Sequence, residues 1–263
     1  MELLPEGCIA AILSRTTPVD AARLSLVSKI FRSAADSDAV WDRFLPSDSH
    51  SIVSQSLSRA NASSKKRFYL DLSDHPVVID NGKKSFQLDK KSGKKCFMLG
   101  ARALFIAWDN GDHYRCWTTL PESRFPDVVV LRHLLWLEIH GMINTFSLSP
   151  NTQYGAFLVF KIIDAPNFHE VLVVLSVNNI GGHNITKIAY LNPDSLEGEV
   201  HDRWDRVQGP SVRSDGWLEI EMGEFFISGL EDEEVEMSVL QIDGCFNVGL
   251  IIEGIEVRPK NDN

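Results

Sequence analysis

The stretch Trp108-Asp109-Asn110-Gly111-Asp112-His113-Tyr114-Arg115-Cys116-Trp117 sets aromatic rings around a polar, turn-prone loop. Trp108, Tyr114 and Trp117 offer flat apolar faces, and Asp109 and Asn110 offer a carboxylate and an amide. Such a set suits a sugar: a ring covers the axial C–H groups while the polar side chains bond hydroxyls. The same indoles would serve equally well as core residues. Reaction chemistry is harder to find. There is no G-x-S-x-G elbow, no phosphate-cradling glycine loop and no histidine pair at metal spacing. No catalytic residue, metal or cofactor is therefore expected. His113, His133 and His140 read as surface or internally satisfied residues. Glu219 and Glu221 share one face of an expected strand and read as a solvated outer face rather than an acid–base pair. Glu231-Asp232-Glu233-Glu234 reads as a solvated loop, and Lys90-Lys91-Ser92-Gly93-Lys94-Lys95 as a broken basic cluster that could address the nucleus.

A rigid scaffold must hold the aromatic loop. From about residue 101 the apolar period is two: Leu135, Leu137 and Ile139 alternate with Trp136, Glu138 and His140, and Leu218, Ile220 and Met222 with Trp217, Glu219 and Glu221. Apolar runs at 156–163, 171–177 and 250–257 have the length of buried strands. Strands without intervening helices predict a sandwich or barrel. The N-terminus differs. Ile9, Ile12 and Leu13 mark one face of a short helix. Thr17-Pro18-Val19-Asp20 looks like a helix start, and Leu24, Val27, Phe31 and Ala34 line the helix after it, with Leu26 and Ile30 widening the stripe. Trp41, Phe44 and Leu45 belong to a last short helix stopped by Pro46. Three helices this short hide little apolar surface among themselves, so the surplus faces either another protein or the rest of the chain.

The chain has 263 residues and a formal net charge of −10. An acidic balance argues against a nucleic-acid partner, whose footprint would be basic. Met1-Glu2-Leu3-Leu4-Pro5-Glu6 has no basic leader, and no stretch reaches membrane-spanning length. The expected location is cytoplasm and/or nucleus, with the four cysteines as thiols.

Two resemblances organise these readings. Leu4-Pro5, Ile9, Ile12-Leu13, the run Leu24 to Arg32 and Trp41 together resemble an F-box, the module that docks the Skp adaptor of SCF ubiquitin ligases. This implies an adaptor-binding set of Leu4, Pro5, Ile9, Ile12, Leu13, Leu24, Val27, Phe31 and Trp41, with cullin reached through the adaptor. Further on, Lys94-Lys95-Cys96-Phe97-Met98-Leu99, Leu120-Pro121-Glu122-Ser123-Arg124-Phe125, Arg213-Ser214-Asp215-Gly216-Trp217-Leu218-Glu219 and the closing run from Gly249 to Lys260 resemble the phloem protein 2, or Nictaba-like, lectins of plants. The order is that of plant F-box phloem-protein-2-like proteins. The implied fold class is α+β in two domains: an all-α F-box unit at 1–46, a linker or helical connector at 47–82, and an all-β jelly-roll-type sandwich at 83–263. The implied ligand is an N-acetylglucosamine-type glycan or a glycosylated protein, with Trp108, Asp109, Asn110, Tyr114 and Trp117 as the carbohydrate-binding set. The family often has Trp directly after the Tyr, where this chain has Arg115. The alternative is a sandwich that has lost lectin activity and recognises a protein surface.

Overall fold

The computed structural model describes residues 4–54, 56, 63–107, 115–132, 136–163, 172–179, 184–192, 207–230, 233–241 and 249–260. It divides into two compact units, residues 1–81 with 85–96, and residues 82–84 with 97–263.

The first unit is helical: α1 (Glu6–Leu13), α2 (Pro18–Leu24), α3 (Lys29–Asp36), α4 (Asp38–Phe44), α5 (Ser49–Ser54) and α6 (Lys65–Asp74), followed by strands β1 (Val77–Ile79) and β2 (Lys84–Leu88). The start of α2 is as the sequence predicts. The Thr17 hydroxyl accepts from the Asp20 amide at 3.2 Å and donates to the Asp20 carboxylate at 2.8 Å, with Pro18 in the first turn. The stripe from Leu24 to Ala34, however, does not lie on one helix. The chain leaves α2 after Leu24 and restarts at Lys29, because the Ser28 hydroxyl accepts from the Phe31 amide at 3.3 Å and caps a new helix. A serine that offers the next turn's N–H a partner competes with helix continuation. Leu26 and Val27 are left in the turn, 75% and 65% exposed.

The core of this unit gathers Ile9, Leu13, Ala21, Ala34, Val40 and Trp41 with Phe68, Tyr69 and Leu72 of α6. Trp41 is 1% exposed, and its indole N–H donates to the Ala35 carbonyl at 2.6 Å. The Tyr69 ring lies 5.1 Å from the Trp41 ring. Residues 47–82 therefore contribute helices, and α6 closes the core that the first four helices leave open. The arm 85–96 closes it further. Tyr69 donates to the Asp89 carbonyl at 3.1 Å, Lys95 pairs with Asp48 at 2.6 Å, and a Cβ on Gly93 would sit 3.0 Å from the Phe44 carbonyl oxygen. Gly93 has φ of +73°, which no other residue type adopts as cheaply.

The second unit is an antiparallel β-sandwich. Its strands are β3 (Lys95–Gly100, beginning in the arm), β4 (Phe105–Ile106), β5 (Arg115–Thr118), β6 (Val128–Leu131), β7 (Glu138–Asn144), β8 (Thr152–Ile163), β9 (Leu172–Asn179), β10 (Asn184–Tyr190), β11 (Ser211–Val212), β12 (Leu218–Ile227), β13 (Glu234–Gln241) and β14 (Gly249–Pro259). One sheet runs β3-β14-β8-β12-β11, with β6 pairing β14 and β5 pairing β6. The other runs β10-β9-β13-β7-β4. Ile139, Val177, Met237 and Val239 from one sheet and Leu158, Phe160, Ile220 and Ile255 from the other are fully buried. Glycines let the sheets approach: a Cβ on Gly223 would lie 2.9 Å from Val177, and one on Gly141 would lie 3.1 Å from Ile255.

Candidate functional site

In the helical unit the expected adaptor set separates into two groups. Ile9, Leu13 and Trp41 are buried, and Leu24 and Phe31 are half-buried. Leu4, Pro5, Ile12 and Val27 are exposed, and Leu26 joins them. The exposed members come from the chain before α1, from α1 itself and from the turn between α2 and α3. Ile12 is positioned by its buried neighbours Ile9 and Leu13 on α1. The arrangement is a presented apolar surface over a closed core, which is what docking onto a partner requires.

In the sandwich, Trp108, Asp109, Asn110 and Tyr114 lie outside the described residues. Trp117 sits on β5 opposite Val129 and is half-buried. The Arg102 guanidinium lies 3.6 Å from its ring centroid and the Arg115 guanidinium 5.5 Å. Arg102 is in turn held by Asp127 at 3.1 Å. Trp117 is thus neither a core residue nor an open platform: cations flank its ring. Arg115, in place of a second tryptophan, points to the same ring.

The other motifs that carry the lectin resemblance converge on one outer face of the larger sheet. Glu219 on β12 receives Arg213 at 2.8 Å and Arg258 at 2.7 Å. Glu256 on β14 receives Arg213 and Arg258 at 2.7 Å each and Arg124 at 3.2 Å. Glu221 receives Lys187 and Lys260, both at 2.6 Å. Expected as a solvated face, Glu219 and Glu221 are instead half-buried, each clamped by two cations. The alternation gave their side of the strand correctly, but the cations arrive from elsewhere in the chain. Burial would push the Glu256 carboxyl up, but the Arg124, Arg213 and Arg258 guanidiniums outweigh it and hold it at about 2. At a register shift between Ile252 and Gly254, Glu253 turns aside and accepts from the Arg124 amide at 2.7 Å and the Ser123 hydroxyl at 3.1 Å. Burial pushes its carboxyl up. These carboxylates are spent on cations and amides. The network fixes the loop 120–125 and leaves no unpaired acid and base to act on a substrate. Among the described residues no cluster of side chains has the makings of a metal site.

Comparison with known proteins gives two family matches, Phloem protein 2 over residues 94–259 and the F-box domain over residues 1–43. The putative F-box protein PP2-B12 of Arabidopsis thaliana is 42% identical, covering 98% of this chain and 97% of its own. The F-box protein PP2-B10 of the same plant is 41% identical, covering 97% and 92%. Among solved structures, TmCBM61 in complex with β-1,4-galactotriose aligns with 60% of this chain and 88% of its own, at 10% identity and a TM-score of 0.33.

Proposed function

Because the chain belongs to the F-box proteins that carry a phloem protein 2 domain, we propose that it is the substrate-recognition subunit of an SCF-type ubiquitin ligase. The helical unit docks a Skp-type adaptor and, through it, cullin. The sandwich presents a glycan-binding surface to glycosylated protein. The chain itself performs no catalysis, and ubiquitin transfer comes from the recruited ligase machinery. It works in the cytoplasm, the nucleus or both.

One observation carries the docking half. Leu4, Ile12, Leu26 and Val27 stay exposed although the unit beneath them has a filled core. Apolar side chains left exposed on a closed unit gain by being covered by a partner. The test is capture of a purified Skp-type adaptor by wild-type protein and by an Ile12→Asp/Val27→Asp variant. Both positions are exposed, so stability should change by no more than about 0.5 kcal/mol, while capture should be lost. Wild-type protein that captures no Skp-type adaptor would refute the reading.

A second reading of the sandwich has its own support. The cation-flanked Trp117 ring and Arg115 disfavour the family's aromatic stack. On this reading the sandwich binds a protein surface. A glycan array with the full-length chain separates the two.

A further inference from the structure

The outer face of the five-stranded sheet carries side chains that neither the adaptor surface nor the tryptophan loop uses. In register, one row crosses all five strands: Phe105 on β4, His140 on β7, Ser238 on β13, Ser176 on β9 and Thr186 on β10. On one side of it lies the row Met142, Glu236, Asn178 and Asn184. The middle of the face is small, polar and closed: Ser176 and Ser238 are buried, and their hydroxyls share a 2.6 Å hydrogen bond. Its β4–β7 flank is large and open, with Phe105 59% and Met142 51% exposed. Between them His140 is fixed at both ends, Nδ1 at 3.0 Å from Glu236 and Nε2 at 2.9 Å from Glu138. The Phe105 ring stands 5.8 Å from the imidazole, tilted by 59°.

The accessible part of the face is therefore its β4–β7 flank, an exposed aromatic ring beside two oriented carboxylates. Each carboxylate spends one oxygen on His140 and keeps the other for a donor. Among the described residues these rows contain no Lys or Arg, so an anionic ligand finds no countercharge. A neutral polyol fits: hydroxyls donate to Glu138 and Glu236, and a sugar's C–H face covers Phe105. We propose that this face binds a neutral oligosaccharide at a site separate from Trp117, a proposal that rests on the glycan reading of the sandwich and assigns it a location.

The test uses the full-length chain and tri-N-acetylchitotriose and cellotriose as probes, with affinity read by titration calorimetry and contacts by saturation-transfer NMR. Phe105→Ala should weaken binding about tenfold through loss of the ring contact, and Glu236→Gln should weaken it as well. Val212→Ala, at an exposed position on β11 of the other sheet, should leave it within about twofold of wild type. Phe105 and Glu236 are both accessible, and urea midpoints of the variants check that they remain folded. Loss of binding in Trp117→Ala with binding kept in Phe105→Ala overturns this location while leaving the glycan reading intact. No wild-type binding to any neutral saccharide on an array overturns both. Binding of a lysine-rich peptide, sensitive to Phe105→Ala, in a chain that takes up no saccharide overturns the proposed ligand class.

Discussion

Glu256 shows how much one side chain can commit. It is almost fully buried, yet it stays ionised because three guanidiniums surround it. Its folded pKa of about 2 lies below the roughly 4.3 of an ordinary glutamate. The ionised carboxylate therefore contributes stability above that ordinary value, and the contribution is lost as pH falls toward 2. Glu219 and Glu221, also held below the usual carboxylate range against the opposing effect of burial, act in the same direction. Glu253, raised by burial, has the opposite sign: acid relieves it. The balance of three against one predicts that stability declines between about pH 5 and pH 2. Glu256→Gln should cost about 3–5 kcal/mol at pH 7, because it strands buried guanidiniums, and should flatten the acid decline. Urea midpoints at pH 7 and pH 3 measure both effects. At Trp117, a double-mutant cycle with Arg102→Ala should return a coupling of about 0.5–1 kcal/mol; zero coupling would mean the stacked guanidinium contributes nothing to stability. None of these partnerships was legible in the sequence. Alternation fixes the side of a strand on which Glu219 lies, but not that Arg213 and Arg258 will meet it there.

Among the elements, the turn between α2 and α3 governs the docking surface. Ser28→Ala removes the cap on α3 and should cost about 1 kcal/mol. It also removes the competitor to helix continuation, so Leu26 and Val27 should lose their fixed presentation. Adaptor affinity should then fall by more than the stability loss accounts for, as read by calorimetric titration of folded protein. Unchanged affinity would mean that the turn's conformation does not matter to docking. Helix starts proved legible where two signals coincide, as at Thr17 and Asp20. Ser28 alone, inside an apolar period, was hidden by that period. The strand at 156–163 was legible as an apolar run of buried-strand length, and the one at 218–222 from its period of two. Helix α6 was obscured because Phe68, Tyr69 and Leu72 follow Lys65, Lys66 and Arg67, are interrupted by Asp71 and come after a serine-rich chain, so the core they complete is visible only in three dimensions.

For the whole molecule, the first unit ends well beyond the helices that carry its docking surface. A fragment ending at Pro46 lacks Phe68, Tyr69 and Leu72, which close the core over Trp41. It should show little helix by circular dichroism, whereas a fragment ending at Cys96 should be helical and melt cooperatively; a folded 46-residue fragment would show that α6 and the arm are dispensable. The helical and β-sandwich fold classes were legible in the sequence, because the change of period near residue 101 marks the sandwich strands. The arm 85–96 belongs to the first unit, which the chain leaves at residue 82 and rejoins at residue 85. The arm also sets a clock. On the ribosome, the sticky N-terminal helices are made first, and the residues that seal them arrive only when translation has passed position 96. At about 5–20 residues per second, that interval of roughly 50 residues lasts about 3–10 s. During it the nascent chain exposes both its future docking surface and the apolar side of its unfinished core, and a chaperone or an adaptor encountering it meets the two at once.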